Sequence, residues 1–197
     1  MKNIIFATGN AGKMKEIRQV MAELPVNILS MKEAGVAADI VEDGKTFEEN
    51  ALIKARAIMK ETKELTLADD SGLEIDYLNK EPGIYSARYL GEDTPYEIKN
   101  QSFLDKLKDV PMEKRTARFV CAIAAVFPDG TEKVVRATME GAIGYESRGE
   151  NGFGYDPIFY LPERGCYSAE LSLEEKNEIS HRGKALRMMK EELKSWL

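Results

Sequence analysis

The feature that most narrows the fold is the apolar run over residues 117–127, which is rich in Val, Ile, Phe and Ala and is the longest β-like stretch of the chain. Pro128-Asp129-Gly130 follows as a turn, and residues 133–138 return as a second strand. This hairpin belongs in the middle of a sheet and asks for no functional explanation. Cys121 lies within it and reads as a small core residue; with Cys166 it makes no metal-like spacing.

Residues 4–7 read as another buried strand. Thr8-Gly9-Asn10-Ala11-Gly12-Lys13 then makes a turn, and Met14, Ile17, Val20, Met21 and Leu24 recur at helical spacing until Pro25. A strand, a glycine turn and a helix in direct succession suit phosphate binding, because free amides and the positive end of the helix dipole face the turn. Lys13 adds a point charge. The turn is not a Walker A loop: its glycine-to-lysine spacing is too short, and Met14 stands where a magnesium-binding Ser or Thr would be. A plain strand–helix connection with Asn10 as N-cap accounts for the same residues.

The segment Leu67-Ala68-Asp69-Asp70-Ser71-Gly72-Leu73 carries the most chemistry per residue. It reads as a strand over residues 65–68 that delivers two acids to a turn. Neighbouring residues on extended chain point to opposite faces, so the two acids have different jobs: one free to face a ligand, one bracing the loop. An Asp-rich turn explains the residue types equally well. Upstream, Thr46 and Glu49 have capping-box spacing, and Phe47, Ala51, Ala55 and Ile58 share a helix face. Glu42 precedes that cap in a loop, where a carboxylate can reach a cation. Lys54 lies one turn beyond Asn50 and extends either toward the same place or into solvent.

After Gly72, the alternation of Leu73, Ile75 and Tyr77 with Glu74 and Asp76 predicts a strand with one wet face. Glu81-Pro82-Gly83 marks a turn. Thr94-Pro95 opens a helix through about Leu107, with Pro95 at its first position. The loop over residues 148–157 places three glycines and two aromatics in ten residues. Glycine lets a ligand approach backbone closely, and Phe153 between two glycines is better placed to stack on a flat ring than to fill a core. Ser172 with Glu175 makes a second capping box and predicts a short helix over residues 173–179. The last helix carries Leu186, Met189, Leu193 and Trp196 or Leu197 as its apolar stripe. His181, the only histidine, precedes it beside Arg182. That neighbouring cation makes it a poor general base and a better neutral partner for a polar ligand edge.

The chain has 197 residues, enough for one large domain or two small lobes, and a net charge of -6. That balance argues against broad binding of nucleic acid polymers or an anionic membrane, so an anionic substrate needs a local basic pocket and a divalent cation. The N-terminal apolar run is too short for a signal peptide or a membrane span, which leads to the expectation of a cytoplasmic, reduced protein.

Together these stretches resemble the inosine/xanthosine triphosphate pyrophosphatases, the house-cleaning hydrolases of non-standard purine nucleotides. The likeness is carried, in order, by Ala7-Thr8-Gly9-Asn10 with Gly12-Lys13; Thr46-Phe47 with Glu49-Asn50-Ala51 and Lys54-Ala55; Ala68-Asp69-Asp70-Ser71-Gly72-Leu73; Pro82-Gly83-Ile84-Tyr85-Ser86-Ala87-Arg88-Tyr89; Gly152-Phe153-Gly154-Tyr155-Asp156-Pro157; and Ser180-His181-Arg182-Gly183. The resemblance implies an α/β fold, a long mixed β-sheet flanked by helices in two lobes with a central cleft, forming one domain over residues 1–197. It implies a homodimer and the Mg²⁺-dependent hydrolysis of ITP, dITP and XTP to the monophosphate and pyrophosphate. By motif position, Asp70 is the implied general base and, with Glu42, the implied metal ligand. Thr8, Gly9, Asn10, Ala11, Gly12 and Lys13, with Ser71 nearby, are implied for the triphosphate. Phe153, Gly154, Tyr155, Asp156, Lys176, His181 and Arg182 are implied for the base. Lys54 adds positive charge to the phosphate side. Other readings are a pyrophosphatase for other modified nucleotides or pyrimidines, and a nucleotide-binding regulator that no longer hydrolyses.

Overall fold

The computed structural model describes residues 1–197. Eight strands, β1 (Lys2–Phe6), β2 (Val26–Ser30), β3 (Leu65–Ile75), β4 (Glu81–Pro82), β5 (Thr116–Val126), β6 (Glu132–Ile143), β7 (Phe159–Leu161) and β8 (Cys166–Tyr167), form one open sheet. Five helices flank it: α1 (Ala11–Met21), α2 (Phe47–Thr62), α3 (Tyr96–Lys106), α4 (Leu173–Ile179) and α5 (His181–Leu193). The strand order is β2-β1-β3-β5-β6-β7-β8, with β4 on β3. β1 runs parallel to both β2 and β3, while β3–β4, β6–β7 and β7–β8 are antiparallel, so the sheet is mixed. The β5–β6 hairpin sits at the centre, as its apolar sequence predicts. Its turn closes with Gly130 N donating to Phe127 O and Thr131 N to Asp129 Oδ1. No helix is long and apolar enough to cross a membrane.

The chain divides into two compact units. The first comprises Met1–Ser71, Cys121–Ala137 and His181–Leu197; the second comprises Gly72–Val120 and Thr138–Ser180. In the first unit the pleat sorts side chains to two faces. Ile4, Phe6, Leu65, Leu67, Cys121, Ile123 and Ala125 pack against Met14, Ile17 and Met21 of α1 and Leu186, Met189 and Leu193 of α5. Ile5, Ala7, Ala68, Ala124 and Val126 pack against Ala51, Ala55 and Ile58 of α2. Cys121 is fully buried, and burial pushes its thiol up to about 12, which suits an inert core residue. Trp196 packs on the α5 side, whereas Leu197 is exposed.

The second unit gathers Leu73, Ile75, Phe103, Leu107, Phe119, Ile143, Tyr155 and Phe159 into one core. Phe103 stacks on Tyr89, with ring centroids 4.4 Å apart. Arg115 is fully buried and donates to the carbonyls of Leu107, Val110, Ile143 and Gly144, tying the end of α3 to the end of β6.

Several local expectations are corrected. No turn occurs at Asp69-Asp70-Ser71-Gly72: β3 runs unbroken through it, and Lys13 and Ser71 satisfy the Asp69 carboxylate, which would otherwise favour a turn. Tyr77 leaves the strand for a short 3-10 turn and is exposed. Pro95 is the N-cap of α3 rather than its first helical residue. Glu49 does not complete a reciprocal box: its N–H donates to Thr46 Oγ1, but its carboxylate accepts from Lys45 N. The Ser172–Glu175 box is complete and starts α4 where the spacing predicts.

Candidate active site

The pleat of β3 decides where the acids go. Asp69 has the parity of Leu65 and Leu67 and so turns toward α1 and α5. Asp70 has the parity of Ala68 and turns toward α2. The expectation that the neighbouring acids do different work therefore has a geometric cause.

Asp69 is fully buried and surrounded by cations. Lys13 Nζ, from α1, lies 3.1 Å from its Oδ2. Arg182 Nε, from the first turn of α5, lies 3.4 Å from the same oxygen, and Ser71 Oγ donates to it at 3.2 Å. Arg182 also donates to Glu16 of α1 and, at 2.8 Å, to Ser71 Oγ. Burial alone would raise the Asp69 pKa, but Lys13, Arg182 and Lys54 outweigh it and hold the carboxyl well below the usual range. Burial likewise opposes the charge on Arg182, and Glu16 and Asp69 more than offset that. This is a buried ionic network, with Glu16 only 1% and Arg182 only 2% exposed.

Asp70 has a different environment. Its Oδ2 is buried and has no hydrogen-bond partner. Burial pushes its carboxyl up to about 6; Lys54 and Lys13 oppose the rise, while Asp69 and Glu42 add to it. Lys54, from α2, lies 3.1 Å from Glu42 Oε1 and donates to the backbone carbonyl of Asp69. Its pKa is raised: burial works against the ammonium, but Asp69, Glu42 and Asp70 prevail. A buried carboxylate with a raised pKa and an orphan oxygen, with a second carboxylate acting on it, is an arrangement a divalent cation relieves. Hard oxygen donors suit Mg²⁺, which takes one or two protein carboxylates and completes its shell from water and phosphate. No group of three or more His, Cys, Asp or Glu side chains is set to hold an ion without such added oxygens.

The N-terminal turn is built as an anion-facing helix start. Asn10 is the N-cap of α1, its Oδ1 accepting from Lys13 N at 3.0 Å, so its side chain serves the helix. Thr8 Oγ1 accepts from Asn10 N. Ala11 and Gly12 begin the helix, where amides have no helical carbonyl to reach. A Cβ added at Gly9 would meet nothing within 4 Å, so open space adjoins the turn.

In the second unit, Asp156 organises the glycine-rich loop. Its Oδ2 accepts from Phe153 N at 3.0 Å and from Lys176 Nζ at 2.6 Å, and its Oδ1 accepts from Ser168 Oγ at 2.7 Å. Lys176 Nζ also stands 4.7 Å from the centroid of the Phe153 ring. Gly149, Gly152 and Gly154 all have positive φ, and a Cβ at Gly152 would lie 2.3 Å from Asp156 Oδ2. A flat aromatic face with an ammonium beside it is thus fixed in place.

The first unit therefore brings together Lys13, Glu42, Lys54, Asp70, Ser71 and Arg182, and the second brings together Phe153, Gly154, Tyr155, Asp156 and Lys176. His181 opens α5 directly before Arg182 and is buried. Sequence reasoning missed Glu16 and Ser168. Glu16 had one signal, its place beside Ile17 on a helix face that must pack. Ser168 had none.

Comparisons with known proteins show which family the chain falls in. The model of the Ham1 family matches residues 4–192. A dITP/XTP pyrophosphatase of Geobacillus kaustophilus (strain HTA426) is 50% identical over 192 residues, covering 98% of this chain and 94% of that protein. One from Clostridium perfringens (strain 13 / Type A) is 47% identical, with both chains fully covered. The solved structure of a HAM1 protein from Coxiella burnetii superposes with a TM-score of 0.89 at 41% identity, over 99% of this chain and 100% of that one. On this full-length likeness, the chain belongs to the Ham1 family.

Proposed function

We propose that this protein is a nucleoside-triphosphate pyrophosphatase that hydrolyses non-standard purine nucleotides (ITP, dITP and XTP) to the monophosphate and pyrophosphate. The observation that carries the reading is the buried acid Asp70, with its orphan oxygen, between Lys54, Glu42 and the Lys13 turn. Glu42 and Asp70 hold Mg²⁺, which when bound offsets phosphate charge and makes water more acidic. Asp70 takes the proton of the attacking water as an ionised carboxylate; the value near 6 belongs to the metal-free site, and a bound cation lowers it. The helix start at Thr8, Gly9, Asn10, Ala11 and Gly12, with Lys13, Lys54 and Ser71, receives the triphosphate.

Phe153 stacks on the base, and Gly154, Tyr155, Asp156 and Lys176 of the second unit line it. A 6-oxo purine offers an acceptor to cationic donors such as Lys176, whereas the amino group of adenine faces them with another donor. One such buried mismatch costs about 1–3 kcal/mol, or roughly tenfold to a hundredfold in preference. A cytoplasmic location and a homodimer are part of the proposal. Cys121 and Cys166 are both free thiols, as a reducing compartment keeps them, and Tyr85, Leu90 and Ile98 expose apolar surface that a second copy would cover. Light scattering at micromolar concentration is expected to give twice the chain mass of 22.1 kDa; a monomer mass removes the dimer.

A hydrolysis panel of ITP, dITP, XTP, GTP, ATP and dTTP, with and without Mg²⁺, tests the whole reading. The expected result is pyrophosphate, released only with Mg²⁺ and mainly from the first three. Orthophosphate as product, or equal rates for all bases, would overturn it.

A further inference from the structure

We propose that Asn100 is a positioning residue for base selection: its side-chain amide holds the carbonyl of Gly154 and thereby fixes the loop that carries Phe153. The inference rests on the reading of that loop as the base holder.

The loop needs outside support, because Gly149, Gly152 and Gly154 all sit at positive φ and glycine does little to hold any one conformation. Asp156 secures its first half through Phe153 N. The second half is gripped by α3. Asn100 Nδ2 donates to Gly154 O at 3.1 Å. The Tyr96 ring meets the edge of Tyr155 at 5.1 Å, and Phe103 meets it at 5.8 Å. Tyr96, Asn100 and Phe103 are spaced at i, i+4 and i+7, so one face of the helix supplies all three contacts. Tyr155 is pinned at its far end, where its hydroxyl donates to Ser86 O at 2.6 Å.

Within this grip Asn100 is the costly member. It is 3% exposed, and its Oδ1 is buried without a hydrogen-bond partner. Reversing the amide would set two acceptors, Oδ1 and Gly154 O, against each other, so the bond to Gly154 fixes the orientation. A leucine would fill the same space with no orphaned acceptor. The position nonetheless carries an amide, and what that amide does is hold Gly154. A hydrophobic contact would fill the volume but leave the carbonyl of Gly154 free to rotate, and Phe153 with it.

The test uses Asn100→Leu and Asn100→Ser in the full-length enzyme, with Phe153→Ala as a control. Three quantities are measured: steady-state constants for dITP, the inhibition constant of inorganic tripolyphosphate (which has no base), and the thermal midpoint. Both Asn100 variants are expected to raise KM for dITP roughly tenfold, with kcat within about twofold of wild type. The tripolyphosphate constant should not move, and Asn100→Leu should melt no earlier than wild type. A purely structural role would instead lower the thermal midpoint and weaken tripolyphosphate in step, and that result, or loss of the fold in both variants, overturns the proposal. An unchanged KM in both variants overturns it too. If Phe153→Ala raises KM while the Asn100 variants do not, only the role of Asn100 fails. If Phe153→Ala also leaves KM unchanged, the reading of the loop as base holder fails.

Discussion

Replacing Asp70 with asparagine is expected to lower turnover by about 10²–10⁴-fold and, in metal-free buffer at neutral pH, to make the protein more stable by about 1–3 kcal/mol. The two effects have one cause. Asp70 is 9% exposed, and burial, with help from Asp69 and Glu42, pushes its carboxyl from 3.8 to about 6. The native state therefore holds a proton in a range where the unfolded chain has released it. The sign follows from linkage: below 3.8 both states are protonated and nothing is lost, while stability falls as pH rises through the window up to about 6. Above that window the native state carries the full penalty of a buried anion, and asparagine removes it.

Chemical denaturation of both proteins with a chelator present, from about pH 4 to pH 8, measures the difference directly. The advantage of Asp70→Asn should be full above about pH 6 and should vanish toward pH 4. Mg²⁺ should narrow the gap, because it stabilises whichever form binds it more tightly, and that is the wild type. A variant that keeps full turnover would remove Asp70 as the base. A variant no more stable than wild type at neutral pH would mean that the site does not strain this carboxylate.

The parts that were legible in the sequence were those in which local chemistry and tertiary packing agree. The Ser172–Glu175 box, the Asn10 cap, the central hairpin and the stripe Leu186, Met189, Leu193 all appear where the spacing places them. The opposite facing of Asp69 and Asp70 was also legible, since alternation along extended chain needs no knowledge of the partners. The turn at that pair was misread for a physical reason. Asp, Ser and Gly favour turns when their side chains must satisfy themselves locally; here Lys13 and Arg182 reach Asp69 from elsewhere in the first unit. Such partners lie as far as 113 residues away along the chain, and no local pattern announces them. Asn100 was hidden differently. The helix was visible, but which of its faces would meet a glycine loop was not.

Arg182→Leu is expected to cost about 3–5 kcal/mol of stability, as removal of one member of a buried ionic network does. The guanidinium joins Glu16, Asp69 and Ser71, and both acids are essentially inaccessible to water. Without it, two buried carboxylates lose a shared cation. Asp69 keeps Lys13 and Lys54 but is held down less strongly, so its pKa rises. Its stabilisation is present above the unfolded value of 3.8 and is lost as pH falls through the folded value, so the variant should acid-unfold at higher pH than wild type. The double variant Glu16→Leu with Arg182→Leu should recover a large part of the loss, because a buried pair is often replaced by apolar residues at little cost. A coupling of less than about 0.5 kcal/mol in the double-mutant cycle would mean that the two residues do not act as a unit. The same cycle separates two roles for Arg182. If the restored double variant also regains its kcat/KM for dITP, Arg182 serves only as the brace that joins α1, β3 and α5. If stability returns and kcat/KM does not, its charge acts on the nucleotide as well, and the brace is what holds that charge in position.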